Sequence, residues 1–173
     1  MKVLVAYATG HGATAEIGQF IRDALREKGL EVVAANVADV NSVAGYDAFV
    51  IGSPIYANMW RTEFSQFLGR FGDTLKSKPS FMFISCIRVL EDDGPQYVQK
   101  EYLYWPMLEK AGIKQVEVFG GKLDLKATNF EERWSLSARW DSETLPDMRN
   151  GDFRDWNAIR AWAEGIANKL NAS

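Results

Sequence analysis

The chain has 173 residues, of which 47% are hydrophobic and 25% charged, with a formal net charge of -3. That length builds one domain with a substantial core, and that composition excludes a disordered chain. The lack of a Lys or Arg block excludes a phosphate-tracking nucleic-acid face, and a sole cysteine, Cys86, excludes an internal disulfide and paired-Cys metal spacings.

No apolar run approaches membrane-spanning length and the first residues lack a signal-peptide layout, so a cytoplasmic protein without a transmembrane segment is expected. Residues 3–8 form an apolar, partly β-branched run that suits a buried strand. They pass through Thr9, Gly10, His11, Gly12 and Ala13 to Thr14 and a helical pattern with Ile17, Phe20, Ile21, Ala24 and Leu25 on one face. Gly29 stands where a helix-ending glycine belongs, and residues 31–37 supply a second strand. A polar connection over 39–45 leads to a third, continuously apolar strand at 47–52, as expected of a central parallel strand.

Pro54 and its small neighbours predict a loop over 53–60, followed by a helix with Phe64, Phe67, Leu68 and Phe71 on one face. Residues 80–86 read as a fourth strand. Pro95 suits the first turn of a helix over about 96–111, which Pro106 kinks or splits, and residues 116–121 read as a fifth strand. Residues 124–150 lack a clear period yet carry Phe130, Trp134, Leu136, Trp140 and Leu145, which reads as an ordered excursion. Asp152 is the expected N-cap of a closing helix traced by Trp156, Ile159, Ala163, Ile166 and Leu170.

Five strands alternating with helices predict an α/β fold: a doubly wound, five-stranded parallel sheet with helices on both faces and strand order 2-1-3-4-5. Ligands of such sheets sit beyond the carboxyl ends of the strands where the order reverses, here between the first and third strands. That topology gathers three loops, 9–14, 53–60 and 85–97, at one place.

The first loop suits an anion. Its helix begins with unpaired N–H groups at the positive end of the helix dipole, Thr9 and Thr14 add hydroxyls, and Gly10 and Gly12 permit close approach or positive φ. It contains no Lys or Arg and does not follow the Walker pattern, so it fits a phosphate monoester on a bound cofactor better than a polyphosphate with magnesium. Tyr56 and Trp60 in the second loop either offer flat surfaces to a planar ring or cap the core beside Phe64. His11 either donates to the phosphate or occupies a turn. Arg88 in the third loop either is a solvated charge or stands near the anion formed when a ring cofactor is reduced. Cys86 reads as a small buried hydrophobe near a strand end, because the only His is far away in sequence.

The frame Thr9-x-His11-Gly12-Ala13-Thr14 resembles the flavodoxin phosphate loop, with His11 and Ala13 standing where that loop usually has a hydroxyl residue and Asn. Residues 51–56 followed by 64–68, and Asp155-Trp156 leading into Ala161-Trp162-Ala163, look closer to the branch of that family with quinone-dependent protoporphyrinogen dehydrogenase. The resemblance implies a single flavodoxin-like domain over 1–173 that holds FMN noncovalently. It places the phosphate at Thr9, His11, Gly12, Ala13 and Thr14, with Gly10 in the same cofactor-binding loop. The isoalloxazine falls between Pro54, Ile55, Tyr56, Ala57, Asn58 and Trp60 on one side and Ser85, Cys86, Ile87, Arg88, Gly94 and Tyr97 on the other.

No metal site is expected. The implied function is an FMN-dependent oxidoreductase passing electrons from a small-molecule donor to a quinone-like acceptor. The alternative is a flavodoxin-type carrier between redox proteins. In the dehydrogenase branch the excursion over 124–150 is expected to serve a bulky porphyrinogen substrate or peripheral membrane contact. Here it holds four basic residues against six acidic ones, so a basic membrane-facing patch is not apparent. A phosphoacceptor receiver on the same fold would need acidic residues where this chain has Ala8-Thr9-Gly10 and Gly52-Ser53-Pro54.

Overall fold

The computed structural model describes residues 1–124, 126–128 and 151–172. The first strand, β1 (Lys2–Tyr7), alternates Val3 and Val5 toward one face with Leu4 and Ala6 toward the other, and both sets are buried. A strand covered on both faces needs no polar side, which is why the run reads as continuously apolar. Helix α1 (Ala13–Glu27) follows and buries Ile17, Ile21, Ala24 and Leu25. It ends as its glycine implies: Gly29 takes φ +85°, Leu30 N–H donates to the Leu25 carbonyl and Gly29 N–H to the Arg26 carbonyl.

Strand β2 (Glu31–Asn36) runs into a 3-10 turn at Val37–Asp39, a little earlier than the polar composition of 39–45 suggests. Strand β3 (Ala48–Tyr56) is longer than predicted, and residues 53–56 belong to it rather than to a loop. Pro54 is tolerated because β1 has ended there. Gly52 accepts a hydrogen bond from Ala8 N–H, so the alternation turns Pro54 toward the same side, beyond the last β1 residue. Only Ala57 and Asn58 remain as connection to β4 (Met59–Trp60). They have φ of 45° and 69°, the two positive values of a two-residue type I′ hairpin.

Helix α2 (Thr62–Lys76) buries Phe64, Phe67 and Leu68, and β5 (Ser80–Ser85) follows. The predicted helix over 96–111 is split. It comprises α3 (Gly94–Tyr97) continuing into a π-helical turn at Val98–Tyr102, then an extended Leu103, then α4 (Trp105–Lys110) with Pro106 in its first turn. Pro106 therefore starts a helix instead of kinking one. Strand β6 (Val116–Phe119) stops two residues short of the predicted end. A side chain at Gly120 would collide with the Phe153 carbonyl, 1.9 Å from an ideal Cβ.

A two-stranded antiparallel ribbon, β7 (Lys122–Leu123) with β8 (Gly151–Asp152), lies off the main sheet, and helix α5 (Trp156–Asn171) closes the chain. Its N-cap is Asp155, whose Oδ1 accepts from the Asn157 and Ala158 N–H groups at 3.0 Å, and not Asp152, which is engaged by Arg154. Of the excursion predicted over 124–150, residues 125 and 129–150 lie outside the described residues. Residues 124 and 126–128 are described, and there Ala127 N–H donates to the Asp124 carbonyl.

The main sheet has the order β2-β1-β3-β5-β6, all parallel, with β4 added antiparallel beside the end of β3. Its five parallel strands thus follow the predicted 2-1-3-4-5. One face packs Leu4, Phe49, Ile51 and Ile84 against α2 and α4 through Phe64, Leu68 and Leu108. The other packs Val3, Val5, Val50 and Phe83 against α1 and α5 through Ile17, Ile21, Ile159 and Ile166. Among the described residues no helix is long and apolar enough to cross a membrane.

Candidate functional site: a cleft at the carboxyl ends of the strands

The strand order reverses between β1 and β3, and a cleft of about 180 Å³ opens there. Its lining comes from four places: His11, Ala13 and Thr14 after β1; Pro54, Ile55, Tyr56 and Ala57 at the end of β3; Ser85, Cys86 and Ile87 after β5; and residues 121–124 with Ala127 and Thr128 after β6.

At the first of these, Gly12 is the N-cap of α1 with φ +89°, a left-handed conformation that a side chain would strain. It offers no side chain to cap the helix. The first intrahelical bond runs from Glu16 N–H to the Gly12 carbonyl, so the N–H groups of Ala13, Thr14 and Ala15 are the helix's unmatched N-terminal donors. Thr9 shapes this turn, its Oγ1 accepting from Gly12 N–H at 3.1 Å. Thr14 Oγ1 lies 2.9 Å from Ser85 Oγ, both residues buried, so a hydroxyl pair stands beside the helix end. The donors are backbone N–H and hydroxyl groups, and Lys122 is the only Lys or Arg among the described lining residues.

Tyr56 leans across this loop. An ideal Cβ at Gly10 would sit 2.7 Å from its phenolic oxygen, which is the close approach Gly10 permits. The His11 ring meets Tyr56 edge to face at 5.7 Å and the Arg61 guanidinium stands 5.6 Å from the Tyr56 ring centre. Gly10, Gly12 and Thr9 thus form the turn, while His11, Ala13 and Thr14 reach the cleft.

Besides Thr9, Gly10 and Gly12, five further expected site residues do not line it. Asn58 is exposed at the hairpin tip. Trp60 packs edge to face on Phe64 at 5.7 Å, the core-capping alternative. Arg88 pairs with Glu91 and, at 3.0 Å, with Asp93, and its guanidinium lies 4.2 Å from the Tyr97 ring centre. Two carboxylates already hold that cation, so it offers the cleft little unspent charge. Tyr97 is held edge-on by Tyr102, and Gly94 is a glycine because its Cβ would strike the Arg88 carbonyl. These residues brace the third loop from behind. Cys86 is buried, as expected; its Sγ accepts from Arg88 N–H at 3.3 Å and it also lines the cleft.

Sequence reasoning missed the fourth wall. Gly120 and Gly121 after an apolar strand carried a signal of the same kind as Gly10 and Gly52, a backbone approached closely by a neighbour. Gly121 lies with Cys86 and Ile87 within van der Waals reach.

Residues 4–139 match the model of the family described as Flavodoxin domain. The chain belongs to the flavodoxin-domain family. A curated relative, protoporphyrinogen IX dehydrogenase (quinone) of Escherichia coli strain K12, is 31% identical over 177 residues, covering 97% of this chain and 96% of the relative. Among solved structures, a flavodoxin from the domain Archaea aligns with a TM-score of 0.60 at 15% identity over 99% of both chains. A flavodoxin from Streptococcus pneumonia TIGR4 aligns with a TM-score of 0.63 at 16% identity, covering 98% of this chain and 99% of its own. As structural likenesses these carry the fold.

Membership of the flavodoxin-domain family implies FMN as the cofactor. The cleft's chemistry fits it. Unmatched helix N–H donors with hydroxyls, in a loop that itself has no Lys or Arg, suit a singly esterified phosphate, and the apolar Pro54, Ile55, Ile87 and Leu123 beside Tyr56 suit a planar ring. Among the described residues no group of three or more His, Cys, Asp or Glu could hold a metal ion.

Proposed function

We propose that this flavodoxin-domain protein is an FMN-dependent oxidoreductase that passes electrons from a small-molecule donor, of the porphyrinogen type, to a quinone-like acceptor. The observation that carries this reading is the 31% identity to a protoporphyrinogen IX dehydrogenase (quinone) over nearly the full length of both chains. The excursion before α5, which a carrier with an exposed flavin edge has little need of, lies within that aligned span.

In this reading the Ala13, Thr14 and Ala15 N–H groups and the Thr14 hydroxyl hold the phosphate, and the turn built by Thr9, Gly10 and Gly12 keeps them converged. Pro54, Ile55, Tyr56 and Ala57 form one wall for the ring and Ser85, Cys86 and Ile87 another. FMN held there would supply the redox chemistry. These side chains would exclude water from the cleft and orient a ring bound between them. Lys122, across the cleft, favours negative charge near it, the role that Arg88's carboxylate partners deny to Arg88.

The test is anaerobic mixing of the FMN-loaded protein with protoporphyrinogen IX. Bleaching of the flavin absorbance, its return on adding a quinone, and growth of porphyrin fluorescence at a rate proportional to protein are expected. A loaded protein that protoporphyrinogen does not bleach, but that redox-protein partners reduce rapidly, is the carrier, and the enzyme reading fails.

A further inference from the structure

Arg154 returns the chain to the cleft, and its side chain is 2% exposed. Its guanidinium is shared among three acceptors. Nε and one terminal nitrogen take the two oxygens of Asp152 at 2.7 and 2.5 Å, while the other terminal nitrogen lies 2.8 Å from Glu16 Oε2 and 3.1 Å from the Ala13 carbonyl. The group lies 4.5 Å from the Trp156 ring centre, and the Phe153 N–H bond to the Gly121 carbonyl fixes the backbone beside it. Hydrogen bonding to Arg154 holds the Asp152 carboxyl below its ordinary range.

Two things about this cluster bear on the anion site. First, Ala13 is the first residue of α1, so a donor on its carbonyl grips the same turn whose N–H groups have no partner within the helix and whose Ala13 and Thr14 line the cleft. Second, Glu16 stands one turn farther along. Helical side chains lean toward the helix N-terminus, which carries its carboxylate back toward the place where an anion binds. Asp152, on β8 beside the cleft-lining β7, adds a second carboxylate nearby. Left alone, both would repel a phosphate.

We propose that Arg154 is a positioning residue for the cofactor phosphate, pinning the first turn of α1 through the Ala13 carbonyl and neutralising the Glu16 and Asp152 carboxylates beside the anion's place. The planar fork matters because three acceptors in different directions must be met at once, which a lysine ammonium at the end of a flexible stem cannot reproduce. This rests on the reading of the loop before α1 as the phosphate site. Arg154 touches the loop's backbone and a side chain, and acts on the phosphate through them.

The experiment compares FMN with riboflavin, which has the same ring and ribityl chain but no phosphate, by fluorescence titration of the flavin-free full-length protein. R154Q is expected to weaken FMN about tenfold while riboflavin changes by less than about twofold. R154K, which keeps charge but not the fork, is expected to fall between R154Q and the wild type. E16Q is the variant that does not depend on tolerance of a buried change, since the Glu16 side chain is 53% exposed. Removing that carboxylate is expected to tighten FMN severalfold with riboflavin unchanged. An FMN-to-riboflavin ratio that stays at the wild-type value in R154Q and E16Q overturns the proposal, as does an equal loss of both ligands in R154Q with no change in E16Q. If the wild type itself binds the two flavins equally, the phosphate site is wrong, and that outcome is separate from a failure of Arg154's role.

Discussion

Thr14 Oγ1 and Ser85 Oγ share a buried hydrogen bond of 2.9 Å, which ties the first turn of α1 to the carboxyl end of β5 across 71 residues of chain. In the proposed arrangement it is the point where the phosphate would meet the wall assigned to the ring. Replacing Thr14 by Glu puts a carboxylate among N–H and hydroxyl donors, and like charge disfavours a bound phosphate where Arg154, the cation beside that turn, is already held by Glu16 and Asp152. Thr14→Glu is expected to lose FMN on gel filtration, read by flavin absorbance, while the wild type stays yellow. A variant that held FMN at wild-type affinity would refute the phosphate assignment. Ser85→Ala, which only deprives Thr14 of its partner, is expected to cost about 1 kcal/mol of stability in urea titration.

The turn at Ala57 and Asn58 predicts a gain. Both residues have positive φ, which Asn accepts and Ala does not, because its Cβ crowds the following carbonyl. Ala57→Gly is expected to stabilise the protein by roughly 0.5–1 kcal/mol, seen as a higher urea midpoint. An unchanged or lower midpoint would mean that the added chain entropy of glycine outweighs the strain relieved.

This hairpin also marks how far the sequence could be read. The strands and helices that place the cleft follow from local signals: the apolar run over 3–8, the helical spacing from Ile17 to Leu25, and Gly29 at the end of α1. The hairpin escaped because Pro54 is a turn signal in isolation, and only the early end of β1 makes it harmless in β3. The ribbon of β7 and β8 escaped for another reason. It pairs Lys122 with Asp152 and Leu123 with Gly151, and two-residue strands so far apart leave no period to find. Asp152 and Asp155 are equally good caps by residue type. Arg154 decides between them by engaging the first and leaving the second to α5.

Acid should reveal the Arg154 cluster in the stability curve. The Asp152 carboxyl is held below its usual 3.8 chiefly by its hydrogen bond to Arg154. A carboxyl whose pKa is lower in the folded state than in the unfolded state stabilises the fold above the unfolded value, and that contribution is lost as pH falls through the folded value. Asp152→Asn lacks it at every pH. The stability difference between wild type and variant is therefore expected to be constant near neutrality and to shrink as pH drops below 3.8. Urea midpoints on both sides of that value check this, and a difference that stays constant into acid assigns the effect of the mutation to lost shape alone.

The glycine in the middle of β3 predicts a coupled pair. Gly52 and Phe83 are neighbours in the register of β3 and β5, and an ideal Cβ at position 52 would sit 2.1 Å from Phe83 Cζ. The ring cannot step aside freely. Phe83 is fully buried, with the Phe119 ring 5.9 Å and the Trp162 ring 6.1 Å away, centre to centre. Gly52→Ala is therefore expected to destabilise the fold by about 1–3 kcal/mol through overpacking, even though alanine costs less backbone entropy than glycine. Phe83→Leu removes the ring and leaves a void, which costs stability by itself, but in that background the alanine methyl has room. The two costs should then fall short of additive by about 0.5–3 kcal/mol, the range seen for residues in direct contact. Four urea titrations close the cycle. Additive costs would mean that the sheet, and not the Phe83 ring, is what requires glycine at position 52.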